Sequence, residues 1–208
     1  MRIRIPLAKQ RGRPNCGPAC LWMILSYFDD KISLPDLEKE IGYKEGKGTS
    51  SIKLAVAAKR RGYEVKLLTT SIEPNKNNLK MDYYKTYMDE DAAGLSKLIE
   101  EARKLNIKMI EKSLGLKELC SLITKSSIPI VLLDWNIIRK QSQNGFMGHY
   151  VDLIGYDQRF VYVNNAAGRK GMRMQAIRRN IFNKARKATG TDEDIILIIK
   201  SALSGVLI

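Results

Sequence analysis

The chain has a single histidine, His149, and only three cysteines, Cys16, Cys20 and Cys120, in 208 residues. An odd number of cysteines, spaced by four and by one hundred residues, excludes a disulfide framework. A zinc site would have to combine all three cysteines with His149. The cysteine pair is spaced by three residues where such sites use two, so no metal site is expected and no cofactor is implied. No apolar run reaches the roughly 18–20 residues that cross a bilayer. The start, Met1 to Pro6, reads as a short strand without the apolar core and small-residue cleavage site of a signal peptide. These absences together place the protein in the cytoplasm, off the membrane. There is no internal repeat, no low-complexity tract, no glycine-rich phosphate loop and no pair of metal-binding carboxylates on adjacent strands.

Acid is missing from two stretches. Residues 1–13 carry Arg2, Arg4, Lys9, Arg11 and Arg13, and residues 169–187 carry eight further lysines and arginines, none of them balanced by an acid. They concentrate a formal net charge of +14, a field that attracts polyanions or acidic substrates. No zinc-finger spacing or RNA-binding aromatic pattern accompanies it, and a plain solvated surface accounts for most of it.

What is present is ordinary for one globular domain over 1–208: 44% hydrophobic and 28% charged residues, too apolar for disorder. Apolar periodicity predicts helices from Cys16 to Phe28, Leu34 to Ile41 and Ser50 to Gly62. Further helices are expected at 92–104, 115–126 and about 175–187. Strands are expected at Glu64–Thr70, 107–112, Ile130–Trp135, His149–Tyr156, Phe160–Asn164 and Asp194–Lys200. Residues 72–91 read as an irregular loop. Helices first and antiparallel strands later is an α+β pattern.

Cys16 stands at the start of the first helix, behind Asn15 as its cap and before Gly17-Pro18. A helix amino terminus stabilises an anion, lowers a thiol pKa and favours the reactive thiolate. Gly17 leaves room for a substrate backbone. This is the setting of a cysteine nucleophile, against the plainer reading of a small buried hydrophobe. Cys20, one turn on, and Cys120 read as core. His149 opens an apolar strand behind Gly148, and Asn165 ends the next strand sixteen residues later. A hairpin places these two ends side by side, so Asn165 can orient the imidazole. Asn164 should face the other way, and Asp152, three residues along, should also point to the opposite face. Gln10, six residues before Cys16, could donate to an oxyanion beside the Cys16 N–H. Asp192, Glu193 and Asp194 read as a loop capping or pairing with basic surface.

The run Gln10, Cys16-Gly17-Pro18-Ala19-Cys20 resembles the nucleophile segment of bacteriocin-processing double-glycine peptidases and other papain-like enzymes. The segment Gly148-His149-Tyr150-Val151, with Val161 to Asn165, is similar to their histidine hairpin. A closer resemblance covers nearly the whole chain: NCGPAC at 15–20, YYKTYMD at 83–89, PIVLLDWNII at 129–138, GHYVDLIGY at 148–156, VNNA at 163–166 and GTDEDIILI at 190–198 look like the eukaryotic guanylyl cyclase domain-containing family. The resemblance implies a papain-like α+β fold, a helical first half packed on an antiparallel sheet. It implies a site of Cys16, His149, Asn165 and Gln10, with Gly17 and Gly148 against the substrate. Double-glycine peptidases carry Asp-Pro where this chain has Asn165-Ala166; asparagine is the papain choice.

The expected function is acyl chemistry at Cys16 on a peptide or amide bond, as hydrolysis or as transfer to an amine in the manner of phytochelatin synthases. The alternatives are a binding protein on a peptidase fold, a polyanion-binding module through 1–13 and 169–187, and, last, a nucleotide cyclase.

Overall fold

The computed structural model describes residues 2–8, 15–141, 144–167 and 171–201. Three helices lead: α1 Cys16–Tyr27, α2 Leu34–Ile41 and α3 Ser51–Arg60. After β1 Glu64–Thr69 come α4 Lys76–Leu79, α5 Asp82–Tyr87, α6 Ala92–Lys104, β2 Lys108–Glu111 and α7 Leu116–Ser121. The rest is β3 Ser127–Asp134, α8 Trp135–Ile138, β4 Gly148–Tyr156, β5 Phe160–Asn165, β6 Met172–Arg178, α9 Arg179–Arg186 and β7 Ile195–Ile199.

The strands form one seven-stranded sheet in the order β2-β1-β7-β3-β4-β5-β6. All its pairings are antiparallel except β1 with β2, which is parallel. That exception follows from α6, which carries the chain back along the sheet edge before β2 begins. Every residue of β3 and nearly every residue of β4 is buried, so the centre of the sheet is covered on both faces. α1 packs on β4, β3 and β5; α3 packs on β1 and β7; α9 packs on β3, β5 and β6.

Local chemistry accounts for the helix ends. Ser33 accepts from the Asp36 N–H at the start of α2, and Gly42 closes it in the left-handed region at φ 68°. Gly62, at φ 86°, turns the chain out of α3 into β1. Two expectations are corrected. Residues 72–91 hold two short helices; Asn75 caps the first through the N–H groups of Asn77 and Asn78. The basic stretch near 175–187 is helical only from Arg179; its first part is β6, drawn into an extended edge strand by pairing with β5.

Candidate active site

Cys16 is the first residue of α1 and is 5% exposed. Asn15 occupies the cap position but does not cap: at φ −86° and ψ 27° it lies outside the extended region a capping residue uses. Its Nδ2 instead donates to Glu38 Oε1 at 2.7 Å, pinning α1 to α2. The amino end of α1 is therefore left to the thiol. Burial by itself pushes the Cys16 thiol up. The adjacent His149, as a charge and as a hydrogen-bond partner, and the backbone N–H groups of Tyr150 and Gly17 outweigh burial, and the thiol lies below its ordinary value. The reciprocal holds for His149: burial lowers it, but the Cys16 anion and the hydrogen bonds to Cys16 and Asn165 raise it above the ordinary imidazole value.

The imidazole is locked by its neighbours. His149 Nε2 lies 2.8 Å from Asn165 Oδ1, and the ring packs on Trp135 with centroids 4.6 Å apart. Asn165 is fully buried; its Oδ1 also accepts from the Ala167 N–H at 2.9 Å and its Nδ2 donates to Gln175 Oε1 at 3.0 Å. The Ala167 N–H fixes which end of the amide is oxygen, so Nε2 carries the proton toward Asn165 and Nδ1 is left for Cys16. Gln175 is a participant that sequence reasoning missed, because its segment reads as helix.

The pairing of His149 with Asn165 depends on a β-bulge. Near the turn, Gly155 pairs with Tyr162; past the irregularity, Leu153 pairs with Val163 and Asp152 with Asn164. Ile154 is the extra residue. Without the shift Asn165 would stand across from Asp152, on the wrong face. With it, Asn165 falls across from Val151, diagonal to His149 and within side-chain reach. Asn164 and Asp152 face α1 as expected: Asn164 Nδ2 donates to Pro6 O at 3.0 Å and lies 4.0 Å from Met23 Sδ, and Asp152 meets Cys20. Burial pushes both Asp152 and Cys20 well above their ordinary values. Cys120, in α7, is buried elsewhere, near Arg179 and Arg186.

Gly17 is buried, and a Cβ there would lie 2.9 Å from Leu54 Cδ1; the missing side chain lets α1 and α3 approach. A Cβ on Gly148 would lie 2.9 Å from the Tyr83 ring, whose hydroxyl donates to Gly148 O at 2.9 Å. Gln10 lies outside the described residues. Several cations of the basic segments are occupied internally: Arg2 meets Asp157 and Tyr162, Arg173 reaches Ile5 O, Arg179 reaches Asp157 O, and Arg186 is buried against Glu193 and Leu114 O. Glu193 pairs with Arg186 and Lys187, but Asp192 and Asp194 turn inward.

They turn into a cavity of about 900 Å³, counted to its open mouth, that begins at Cys16. Its walls come from the start of α3, the end of β1, the chain before β7 and the α4–α5 segment with Tyr83 and Tyr84. Tyr150 spans its inner side: its hydroxyl lies 2.7 Å from Ser51 Oγ, which donates to Asp194 Oδ2.

Solved structures share this architecture. A double-glycine motif protease from an AMS/PCAT transporter, in complex with the leader peptide, superposes with a TM-score of 0.55 at 18% identity over 96% of this chain and 94% of that one. The peptidase domain of Streptococcus ComA gives 0.52 at 13% identity over 95% and 100%, and a C39-like peptidase from Bacillus anthracis gives 0.51 at 16% over 95% and 96%. The chain has the papain-like peptidase fold. By sequence, the model of the guanylylate cyclase family matches residues 5–198, and the chain belongs to that family. Guanylyl cyclase 1 of Arabidopsis thaliana is 26% identical over 210 residues, 93% of this chain and 75% of that protein. No helix among the described residues is long and apolar enough to cross a membrane.

Proposed function

We propose that the protein carries out acyl chemistry on a peptide or amide bond through Cys16, His149 and Asn165. The observation that carries this is the buried relay itself: a thiol lowered and an imidazole raised by each other, with Asn165 holding the ring's far nitrogen at 2.8 Å. Cys16 Sγ, as thiolate, attacks the carbonyl carbon. The tetrahedral oxyanion collapses to a thioester as His149 gives its proton to the leaving amine. Water, or a second amine, then loses a proton to His149 and displaces Cys16. The Cys16 N–H and Gln10 are assigned to the oxyanion, and the backbone at Gly17 and Gly148 flanks the substrate chain. A structural neighbour bound to a leader peptide supports a peptide as the substrate.

The test is partial alkylation with iodoacetamide, read by mass spectrometry, followed by a peptide-library screen. Cys16 is expected to react much faster than Cys20 or Cys120. Equal rates, or faster reaction at Cys120, would remove the nucleophile from the argument.

The family's name favours a second reading, a nucleotide cyclase. Against it, the cavity beside Cys16 has carboxylates and no lysine, arginine or histidine among its described lining residues, the reverse of a phosphate cradle. Calorimetric titration with GTP separates the two.

A further inference from the structure

The protein carries a formal net charge of +14, yet the cavity next to its thiol is acidic. Asp192, Asp194 and, at the rim, Glu73 line it. Glu73 is engaged by Arg103, so the two aspartates are the carboxylates left to the interior. Asp194 Oδ2 accepts from Ser51 and Asp192 Oδ1 accepts from Asn75 Nδ2 at 2.7 Å, neutral donors in both cases. Neither aspartate has an ion-pair partner among the described residues. Burial first, against the hydrogen bonds from Ser51 and Thr69 and with a further push from the Asp192 charge, raises Asp194 to about 7, and burial raises Asp192 as well.

The backbone holds this arrangement at a cost. Asp192 and Glu193 are consecutive non-glycine residues in the left-handed region, at φ 46° and 52°. The Asp192 carbonyl is tied down by the Thr70 N–H at 2.7 Å and by the Thr69 hydroxyl at 3.1 Å. A turn held this way sends side chains 192 and 194 inward and 193 out to Arg186 and Lys187.

A separate observation concerns the residues just before Ser51. Thr49 and Ser50 line the same cavity and are more than nine-tenths buried, at 5% and 8% exposed. Thr49 Oγ1 and Ser50 Oγ have no hydrogen-bond partner. Buried hydroxyls without partners are rare, because each forfeits its hydration. Ser50 sits at the cap position of α3 in a capping conformation, at φ −70° and ψ 153°, yet makes no cap bond. Two partnerless hydroxyls and two carboxylates bonded only by neutral donors line one cavity, and their free lone pairs suit a ligand rich in N–H donors.

We propose that this cavity is the subsite for a cationic side chain, an amine or guanidinium of lysine or arginine type, on the acyl substrate that Cys16 attacks. The placement rests on the acyl reading above. Tyr150 serves as a ruler: its backbone N–H meets the Cys16 thiol and its hydroxyl meets Ser51 beside Asp194, so thiol and carboxylate are separated by about the length of one long side chain. The apolar stem of a lysine would lie along Tyr150, Leu132 and Ile52, and its ammonium would reach the aspartates.

Titration of N-acetyl-lysinamide, N-acetyl-norleucinamide and guanosine into the Cys16→Ala protein, followed by NMR, tests this without any turnover. A hydrogen bond to a charged group contributes about 1.5–3 kcal/mol. Lysinamide should therefore bind about tenfold to a hundredfold tighter than the apolar norleucinamide. Asp194→Asn should erase that preference. Asp192→Asn, at a left-handed position that asparagine tolerates as well as aspartate, should reduce it even where Asp194→Asn folds poorly. Equal binding of the two amides, no binding of either, or binding of guanosine alone overturns the subsite. Iodoacetamide labelling of Cys16 in the parent keeps the two readings apart. A reactive thiol with no lysine preference sinks the subsite only; a lysine preference beside an inert thiol leaves the cation site standing and sinks the acyl chemistry.

Discussion

Asn165→Ala is the sharpest single perturbation of the relay. Asn165 accepts the His149 proton at 2.8 Å, and the bond counts toward holding the ring charged. A hydrogen bond to a charged partner contributes about 1.5–3 kcal/mol. Its loss makes the imidazolium–thiolate pair harder to form, and the fraction of reactive thiolate near neutral pH should drop by about 10- to 150-fold. The alanine also leaves the Ala167 N–H and Gln175 without their partner in a fully buried place, so the fold should lose stability by roughly 1–3 kcal/mol. Loss of stability alone would expose all three cysteines, so the assay must resolve them. Pulse labelling with iodoacetamide across a pH series, read peptide by peptide, does this: the Cys16 rate should fall while Cys20 and Cys120 stay protected. Asn165→Asp keeps an acceptor in place and should retain most of the Cys16 reactivity. An alanine variant that labels at the parent rate, or an aspartate variant that fails as badly as alanine, would refute the role given to Asn165.

Three further outcomes follow from the same geometry. In Cys16→Ala, the ring signal of His149, the chain's only histidine, should titrate at a lower pH than in the parent, since the anion that raises it is gone; an unmoved NMR midpoint would mean the two side chains do not meet. Asp194 has its folded value raised to about 7 from the ordinary carboxyl range near 4, so the folded state holds the extra proton and the parent should lose stability as pH rises from about 4 to about 7. Asp194→Asn should lack that loss, and urea denaturation at both ends of the window would expose a parent and variant that run in parallel. Gly148→Ala drives a methyl to within 2.9 Å of the Tyr83 ring and should cost about 1–3 kcal/mol by overpacking, seen as a lowered Tm; an unchanged Tm would show that the α5 wall yields freely.

Much of the frame can be read from the residues because each signal is local. Gly42 and Gly62 stop α2 and α3 where left-handed backbone is needed, and the continuous apolar run before Asp134 marks a strand buried on both faces. The site residues were legible as neighbours in sequence: a cysteine at a helix start, a histidine and an asparagine at the two ends of a hairpin. Long-range competition was not. Asn15 has a capping residue's identity, but Glu38, in another helix, takes its amide. Met172 to Arg178 have no strong period of their own, and the free edge of β5 decides that they are extended. Residues 72–91 lack the length of a stable isolated helix; Asn75 caps one short turn of helix, and packing of Tyr83 and Tyr84 on Phe146 holds the second. The inward turn of Asp192 and Asp194 had no local signal, since it depends on two successive left-handed residues at 192 and 193.

The bulge at Ile154 has an anchor of its own. The Ile3 N–H donates to Ile154 O at 2.8 Å, and Arg2 bridges to Gly155, so the irregular segment ahead of α1, expected as a strand, is stitched to the one irregular point of the β4–β5 hairpin. The hand of the hairpin, and with it the choice of which asparagine meets the imidazole, is thus clamped by a segment that touches neither His149 nor Asn165. Trimming residues 2–5, or peeling them away under an added partner, would release that clamp and be felt at the imidazole some 150 positions later in the chain. Deleting Ile154 would close the ladder with Leu153 still across from Val163 and Asn165 still across from Val151, but residues Gly155 to Tyr162 would then present the opposite faces relative to the site.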